Sequence, residues 1–148
     1  MDIHVEPLDG VIGELDNLLH EYWRDTEAGK DMPALAMDWP AYCQLERVGA
    51  LVLLVARKEH HVAGFVQYVV VKHTKHRGIR MAQCDTLAVR VKERGHGIGE
   101  KLMRAGEHEL RKRGVQQVVH GFRLVYNKQP LFPKLGYKPI ETLYMKEL

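Results

Sequence analysis

The sequence predicts an α/β domain of the α+β kind, with a mixed, mostly antiparallel central sheet of six to seven strands flanked by about four helices. Three observations carry this. Leu51 to Lys72 holds a β-rich apolar run and then a β-branched and aromatic one around a polar turn, the pattern of an antiparallel hairpin. Hydrophobic spacing changes from a period of two before Val89 to a helical period after Ile98. Several strands precede that change with antiparallel character, unlike the opening of a doubly wound parallel sheet.

The first element is a short strand in which Ile3 and Val5 alternate with polar residues before the turn at Asp9-Gly10. Val11, Ile12, Leu15, Leu18, Leu19 and Tyr22 then recur at helical spacing, giving a helix that ends around Trp23 and opens into the polar loop Asp25 to Pro33. A second helix follows Asp38 and runs through Tyr42 and Leu45. Leu51 to Arg57 and Val62 to Lys72 are the hairpin strands, and His73 to Gly78 makes the next turn.

Arg80 to Val89 is a fourth strand. Strict alternation places Met81, Gln83, Asp85 and Leu87 on one face and Ala82, Cys84, Thr86 and Ala88 on the other. From Ile98, the apolar positions Leu102, Ala105 and Leu110 share one helix face, and Gly114 supplies the stop. Val115 to Phe122 follows as a strand, Lys128 to Leu135 as a short helix interrupted by Pro130 and Pro133, and Tyr137 to Glu147 as a closing strand or pair of strands.

The 148 residues, 45% hydrophobic, fit a single domain over positions 1–148 with one core. Twenty-two Lys and Arg against 19 Asp and Glu give a formal charge of +3, a mild excess that favours an anionic ligand without implying nucleic acid. Cys43 and Cys84 form no C-x-x-C pair and lie in stretches that read as buried, the pattern of reduced thiols in a cytoplasmic protein. The N-terminus has no secretory pattern, and the longest apolar run, Ala50 to Ala56, is far shorter than the ~20 residues of a membrane helix. The basic turn His73 to Gly78 has no interleaved aromatics, which argues against a nucleic-acid site. His73 and His76 lack further ligands, so no metal is expected.

The most informative segment is Arg94-Gly95-His96-Gly97-Ile98-Gly99, set between the end of a strand and an amphipathic helix. Glycines let the backbone take positive φ and approach a ligand, and the helix N-terminus offers free N–H groups and positive potential to an anion. A Walker loop is excluded because Gly99 is followed by Glu100-Lys101-Leu102. A dinucleotide fingerprint would follow the first strand of a parallel unit.

Leu87-Ala88-Val89, a short turn and then Arg-Gly-His-Gly-Ile-Gly resemble motif A of the GNAT superfamily of N-acetyltransferases, whose signature is Gln/Arg-x-x-Gly-x-Gly/Ala. Arg94, Gly97 and Gly99 occupy its defining positions, and the order of elements matches along essentially the whole chain. The end of the sequence, from Gly136 to Lys146, is also loosely similar to a subgroup from phages and prophages.

The resemblance implies acetyl-CoA as the acyl donor, bound where the fourth and fifth strands splay apart. Leu87, Ala88 and Val89 would pair with the pantetheine arm, and Arg94, Gly95, His96, Gly97, Ile98 and Gly99 would hold the pyrophosphate. Asn127 is the nearby asparagine for a further cofactor contact, since the family's usual Asn position falls on Val125. Asp85, two residues before Leu87, stands where many relatives carry a general base, and His120 is the alternative. A backbone N–H near Val89 is expected as oxyanion donor. The family's usual tyrosine acid falls on Phe132, which leaves Tyr126 and Tyr144 as candidate acids, or no acid at all.

The same resemblance implies an acceptor pocket between the first two helices and the hairpins, with Tyr22, Trp23, Trp39, Tyr42 and Tyr68 as walls. Glu21, Asp25, Glu27, Asp31 and Asp38 are acidic groups that could receive a cationic amine. The expected activity is therefore acetyl transfer to a primary amine of a small molecule or protein, with no nucleic acid or membrane as partner and with a homodimer compatible. The alternative is a non-catalytic CoA-binding module that acts through protein contacts.

Overall fold

The structure is a computed structural model and describes residues 1–25, 34–122 and 131–148. Five strands form one sheet in the order β1-β2-β3-β4-β5: Asp2–Val5, Leu51–Lys58, His61–Lys72, Arg80–Val89 and Gln117–Val119. The first four pair antiparallel in sequence, and β5 joins β4 in parallel through a helical crossover. The helices are α1 (Ile12–Asp25), α2 (Trp39–Arg47), α3 (Ile98–Lys112) and α4 (Leu131–Lys134).

Both faces of the sheet are covered, which is why β2 reads as an unbroken apolar run. Its residues sort by parity. Val52, Leu54 and Ala56 join the core beneath α3, with Ile98, Leu102 and Leu110. Leu51, Leu53 and Val55 join the opposite core, with Leu15, Leu18 and Leu19 of α1 and the half-buried Tyr42 and Leu45 of α2. Helix α2 begins where its sequence says: Asp38 accepts from Ala41 N at 3.1 Å, and Pro40 stands in the first turn, where a missing N–H costs nothing.

Two expectations are corrected. The sheet has five strands among the described residues rather than six to seven, because 137–148 forms no strand. Its apolar residues satisfy the local pattern, but a strand requires a neighbour to complete its ladder, and no described residue supplies one. Ile140, Leu143 and Tyr144 consequently stand 67%, 80% and 94% exposed.

The second correction concerns β4. Gln67 pairs with Thr86 but Tyr68 pairs with Cys84, so Asp85 is the extra residue of a β-bulge. The bulge inverts parity along the strand. Ala82 and Cys84 pack on the α3 side, and after the bulge Leu87 and Val89 occupy that side while Ala88 enters the opposite core. Cys43 and Cys84 are in no disulfide among the described residues and are half-buried rather than enclosed. No helix among the described residues is long and apolar enough to cross a membrane.

The approach of α3 to the sheet depends on Gly106. A Cβ there would lie 2.6 Å from Cε2 and 2.7 Å from the hydroxyl of Tyr68, whose ring is fully buried and cannot yield. Gly106→Ala should lower stability by about 1–3 kcal/mol through overpacking. Urea denaturation reads this directly, and an unchanged midpoint would contradict the contact.

Candidate functional site

The ladder between β4 and β5 covers only Met81 to Gln83 against Gln117 to Val119, whereas β4 continues to Val89. Beyond Gln83, the β5-facing edge of β4 has no strand partner among the described residues. Arg90 N donates to Ala63 O at 2.9 Å on the β3 side, so strand alternation turns the peptide groups of Leu87 and Val89 toward the open edge. The Val89 carbonyl faces that way and accepts from Arg94 Nε at 3.3 Å. Leu87 and Val89 thus offer backbone to the opening, the peptide groups of Ala88 face β3, and the side chains of all three serve the two cores.

The glycine loop is fixed at its base. Arg90 donates from Nε to Val62 O at 2.7 Å and from a terminal nitrogen to Glu21 at 2.7 Å. A 3-10 turn, Val91–Glu93, then carries Glu93 into the protein, 5% exposed. Its carboxylate accepts from Lys58 Nζ at 3.0 Å and lies 3.4 Å from His61 Nε2. The hydrogen bond from Lys58 chiefly holds this carboxyl below its ordinary range, with burial opposing and His61 adding to the effect.

Above that base, Gly95 and Gly97 have φ of 84° and 73°, a region that favours glycine, and Gly97 is the N-cap of α3 without a side-chain cap. The helical ladder starts with Lys101 N donating to Gly97 O, so the N–H groups of Ile98, Gly99 and Glu100 have no intrahelical acceptor. A Cβ at Gly95, Gly97 or Gly99 would meet nothing within 4 Å. Uncapped donors around open space suit an anionic group such as a phosphate. The nearby Arg104 is committed to Glu100 at 3.0 Å, and Glu100 also accepts from Lys134 at 2.9 Å. Arg94 itself lies with its guanidinium 5.4 Å from the Tyr22 ring centroid.

The candidate catalytic groups divide between the two faces of the sheet. Asp85 is exposed at the bulge, on the side of α2. Its Oδ2 accepts from Tyr42 Oη at 2.9 Å, Gln67 Nε2 at 2.8 Å and Thr86 Oγ1 at 3.0 Å. Burial, then the charge of Asp85, raises the Tyr42 hydroxyl above its ordinary range, so it remains a protonated donor.

His120 lies on the α3 side. Its Nε2 is 3.5 Å from Tyr68 Oη, and its ring meets Phe132 and Tyr137 at centroid distances of 5.7 and 5.1 Å. Tyr137 donates to Glu107 at 2.7 Å, a polar contact that the sequence reading did not single out. Tyr144 stands in the exposed C-terminal segment, and Tyr126 and Asn127 lie outside the described residues.

Of the expected acceptor walls, Tyr22, Trp39 and Tyr42 pack on the α1–α2 core, whereas Tyr68 belongs wholly to the other. Trp39 donates to Asp16 at 2.9 Å. Glu21 is committed to Arg90, and Asp38 to the α2 cap. Glu27 and Asp31 lie outside the described residues.

The family model for the acetyltransferase (GNAT) domain matches residues 50–139, from the start of the hairpin beyond α4. Solved structures share the fold over nearly the whole chain. A ribosomal-protein-alanine N-acetyltransferase from Brucella melitensis biovar Abortus 2308 has a TM-score of 0.75 at 21% identity, with 100% of each chain covered. An aminoglycoside acetyltransferase from an uncultured soil metagenomic sample, in complex with sisomicin, has a TM-score of 0.73 at 17% identity over 99% of this chain and 95% of that one. Glucosamine-6-phosphate N-acetyltransferase from Arabidopsis thaliana gives 0.76 at 13% identity over 99% and 97%. At such identities the likeness shows the fold. No curated protein sequence matches the chain.

Glu93 generates a pH prediction. Its pKa is lower in the folded than in the unfolded chain, so its stabilising contribution is fully present above the ordinary carboxylate range and is lost as pH falls through the depressed value. Glu93→Gln should melt below the wild type at neutral pH, with the gap narrowing below about pH 4. Melting curves across that range check it, and a gap independent of pH would contradict the assignment.

Proposed function

The chain belongs to the GNAT acetyltransferases, and from that premise we propose that it is an acetyl-CoA-dependent N-acetyltransferase acting on a primary amine of a small molecule or a protein. The observation that supports this best is the α3 N-terminus, without a side-chain cap, lined by three glycines and set at the end of a β4 edge that has no strand partner among the described residues beyond Gln83. Ile98, Gly99 and neighbouring N–H groups bind the pyrophosphate, and the outward peptide groups of Leu87 and Val89 bind the pantetheine arm as another strand would.

When bound, acetyl-CoA would supply the thioester whose acyl carbon accepts the amine nitrogen by direct attack in a ternary complex, the C–S bond breaking as CoA leaves as the thiolate. Asp85 receives the amine proton, directly or through water, and its carboxylate also attracts the cationic form of the substrate. The Val89 N–H, turned to the open edge, is the donor for the acyl oxygen. His120, across the sheet from Asp85, is the second choice of base, and Tyr126, Asn127 and Tyr144 keep the roles that the family resemblance implies. The acceptor enters beside Tyr42 and Trp39, whose rings lie 5.7 Å apart and offer an aromatic wall next to the carboxylate. Two cysteines outside any disulfide among the described residues accord with a reducing cytoplasmic setting, and we read 1–148 as one domain.

Gly99→Glu tests the site more cleanly than a change at Gly97, where positive φ would strain any side chain. A side chain at 99 projects into open space and leaves the helix intact, but it places negative charge among the pyrophosphate donors. Acetyl-CoA affinity measured by calorimetry should fall at least about a hundredfold, or about 2.7 kcal/mol, with the melting temperature preserved. Unchanged affinity would remove the loop from the binding site. Separately, CoA release over a panel of amines tests the activity, and tight CoA binding with no turnover on any amine would favour a non-catalytic module.

A further inference from the structure

Gln67 and Glu93 are the buried polar side chains among the described residues. The partners of Glu93 account for its burial. Those of Gln67 do not. The Nε2 of Gln67 donates to Asp85, whereas its fully enclosed Oε1 has no hydrogen-bond partner among the described residues. Turning the amide over would set Oε1 against the carboxylate, acceptor against acceptor, so Asp85 dictates the orientation that leaves Oε1 without a donor. On the same face of β3, Phe65 and Val69 are apolar and pack in the α1–α2 core. An apolar side chain at 67 would fit those surroundings without an unpaired carbonyl. Packing therefore does not explain a glutamine here.

What the amide reaches does. Asp85 is the bulged residue of β4, and its Oδ2 receives donors from three elements: Gln67 on β3, Tyr42 on α2 and Thr86 on β4. Three directions onto one oxygen fix the carboxylate plane, and Oδ1 accepts no hydrogen bond among the described residues while Asp85 stays exposed.

We propose that Gln67 is a positioning residue that, with Tyr42, orients Asp85 so that Oδ1 alone faces the acceptor amine. This rests on the acetyl-transfer reading with Asp85 as base. The proton leaves the amine N–H bond as an O–H bond forms at Oδ1, Oδ2 keeps its three donors, and the proton then passes to solvent.

The test begins with Asp85→Asn and adds Gln67→Met, an apolar change of similar length, and Tyr42→Phe. For Gln67→Met the expected result is a kcat lower by about ten- to a hundredfold, an acetyl-CoA KM within about twofold of wild type, and an equal or higher melting temperature, because an unpaired buried acceptor has been removed. Tyr42→Phe should lower kcat in the same way, and the double variant should lose less than the product of the two losses. Full turnover by Asp85→Asn, or none by the wild type on any amine, would sink the base assignment and this proposal with it. Loss of turnover in Asp85→Asn with normal kcat in Gln67→Met would overturn the positioning role alone. A lowered melting temperature in Gln67→Met would also overturn it, since the side chain would then be needed for packing.

Discussion

Hydrogen bonding between β4 and β5 stops after Gln83, and the candidate site exists because it stops there. Each backbone N–H and C=O in a sheet demands a partner, so an edge with no described strand partner inside a covered fold is a candidate surface for an extended chain. Six residues of β4 continue past the parting, and the last of them leads through a short turn into the N-terminus of α3. One constraint therefore yields both an open strand edge and, at its end, the uncapped N–H groups of α3, the two parts of the candidate site.

The bulge at Asp85 sits at the start of that open stretch and gives it two different faces. By inverting parity, it lets Leu87 and Val89 pack beneath α3 while Asp85 emerges on the α2 side, within reach of Tyr42 and Gln67. His120 occupies the other side with Tyr68, Phe132 and Tyr137. The two candidate bases are thus separated by the sheet rather than joined in one relay. Below the glycines, the Arg90 and Glu93 anchors tie the loop to the hairpin and to α1, so the donors of α3 are presented by a fixed scaffold.

Where the determinants were local, they were legible in the sequence. The hairpin, the Asp38 cap of α2 and the glycine loop before α3 are each specified by residues a few positions apart, and all three stand as expected. Determinants of long range were not legible. The bulge depends on the register of β3 against β4, and counting alternate residues presumes an unbroken strand, so Leu87 and Ala88, beyond Asp85, were assigned to the wrong faces. Glu93 reads as one charge in a polar turn until Lys58 and His61, 35 and 32 residues earlier, close over it. Tyr42 was expected as a wall and Gln67 was passed over, since a hydrogen bond spanning 43 or 18 residues leaves no spacing signal. The C-terminal segment shows the opposite failure, a good local strand pattern that no described neighbour completes.

The proposed function makes the open edge of β4 and the N-terminus of α3 one continuous binding surface for acetyl-CoA. Backbone amide resonances of the nitrogen-15-labelled protein, followed during titration with CoA, test it most directly. Leu87, Val89, Gly95, Gly97, Ile98 and Gly99 should move together along a single binding curve while β1 and the far end of α3 stay in place. Saturable binding that leaves those amides unmoved would contradict it.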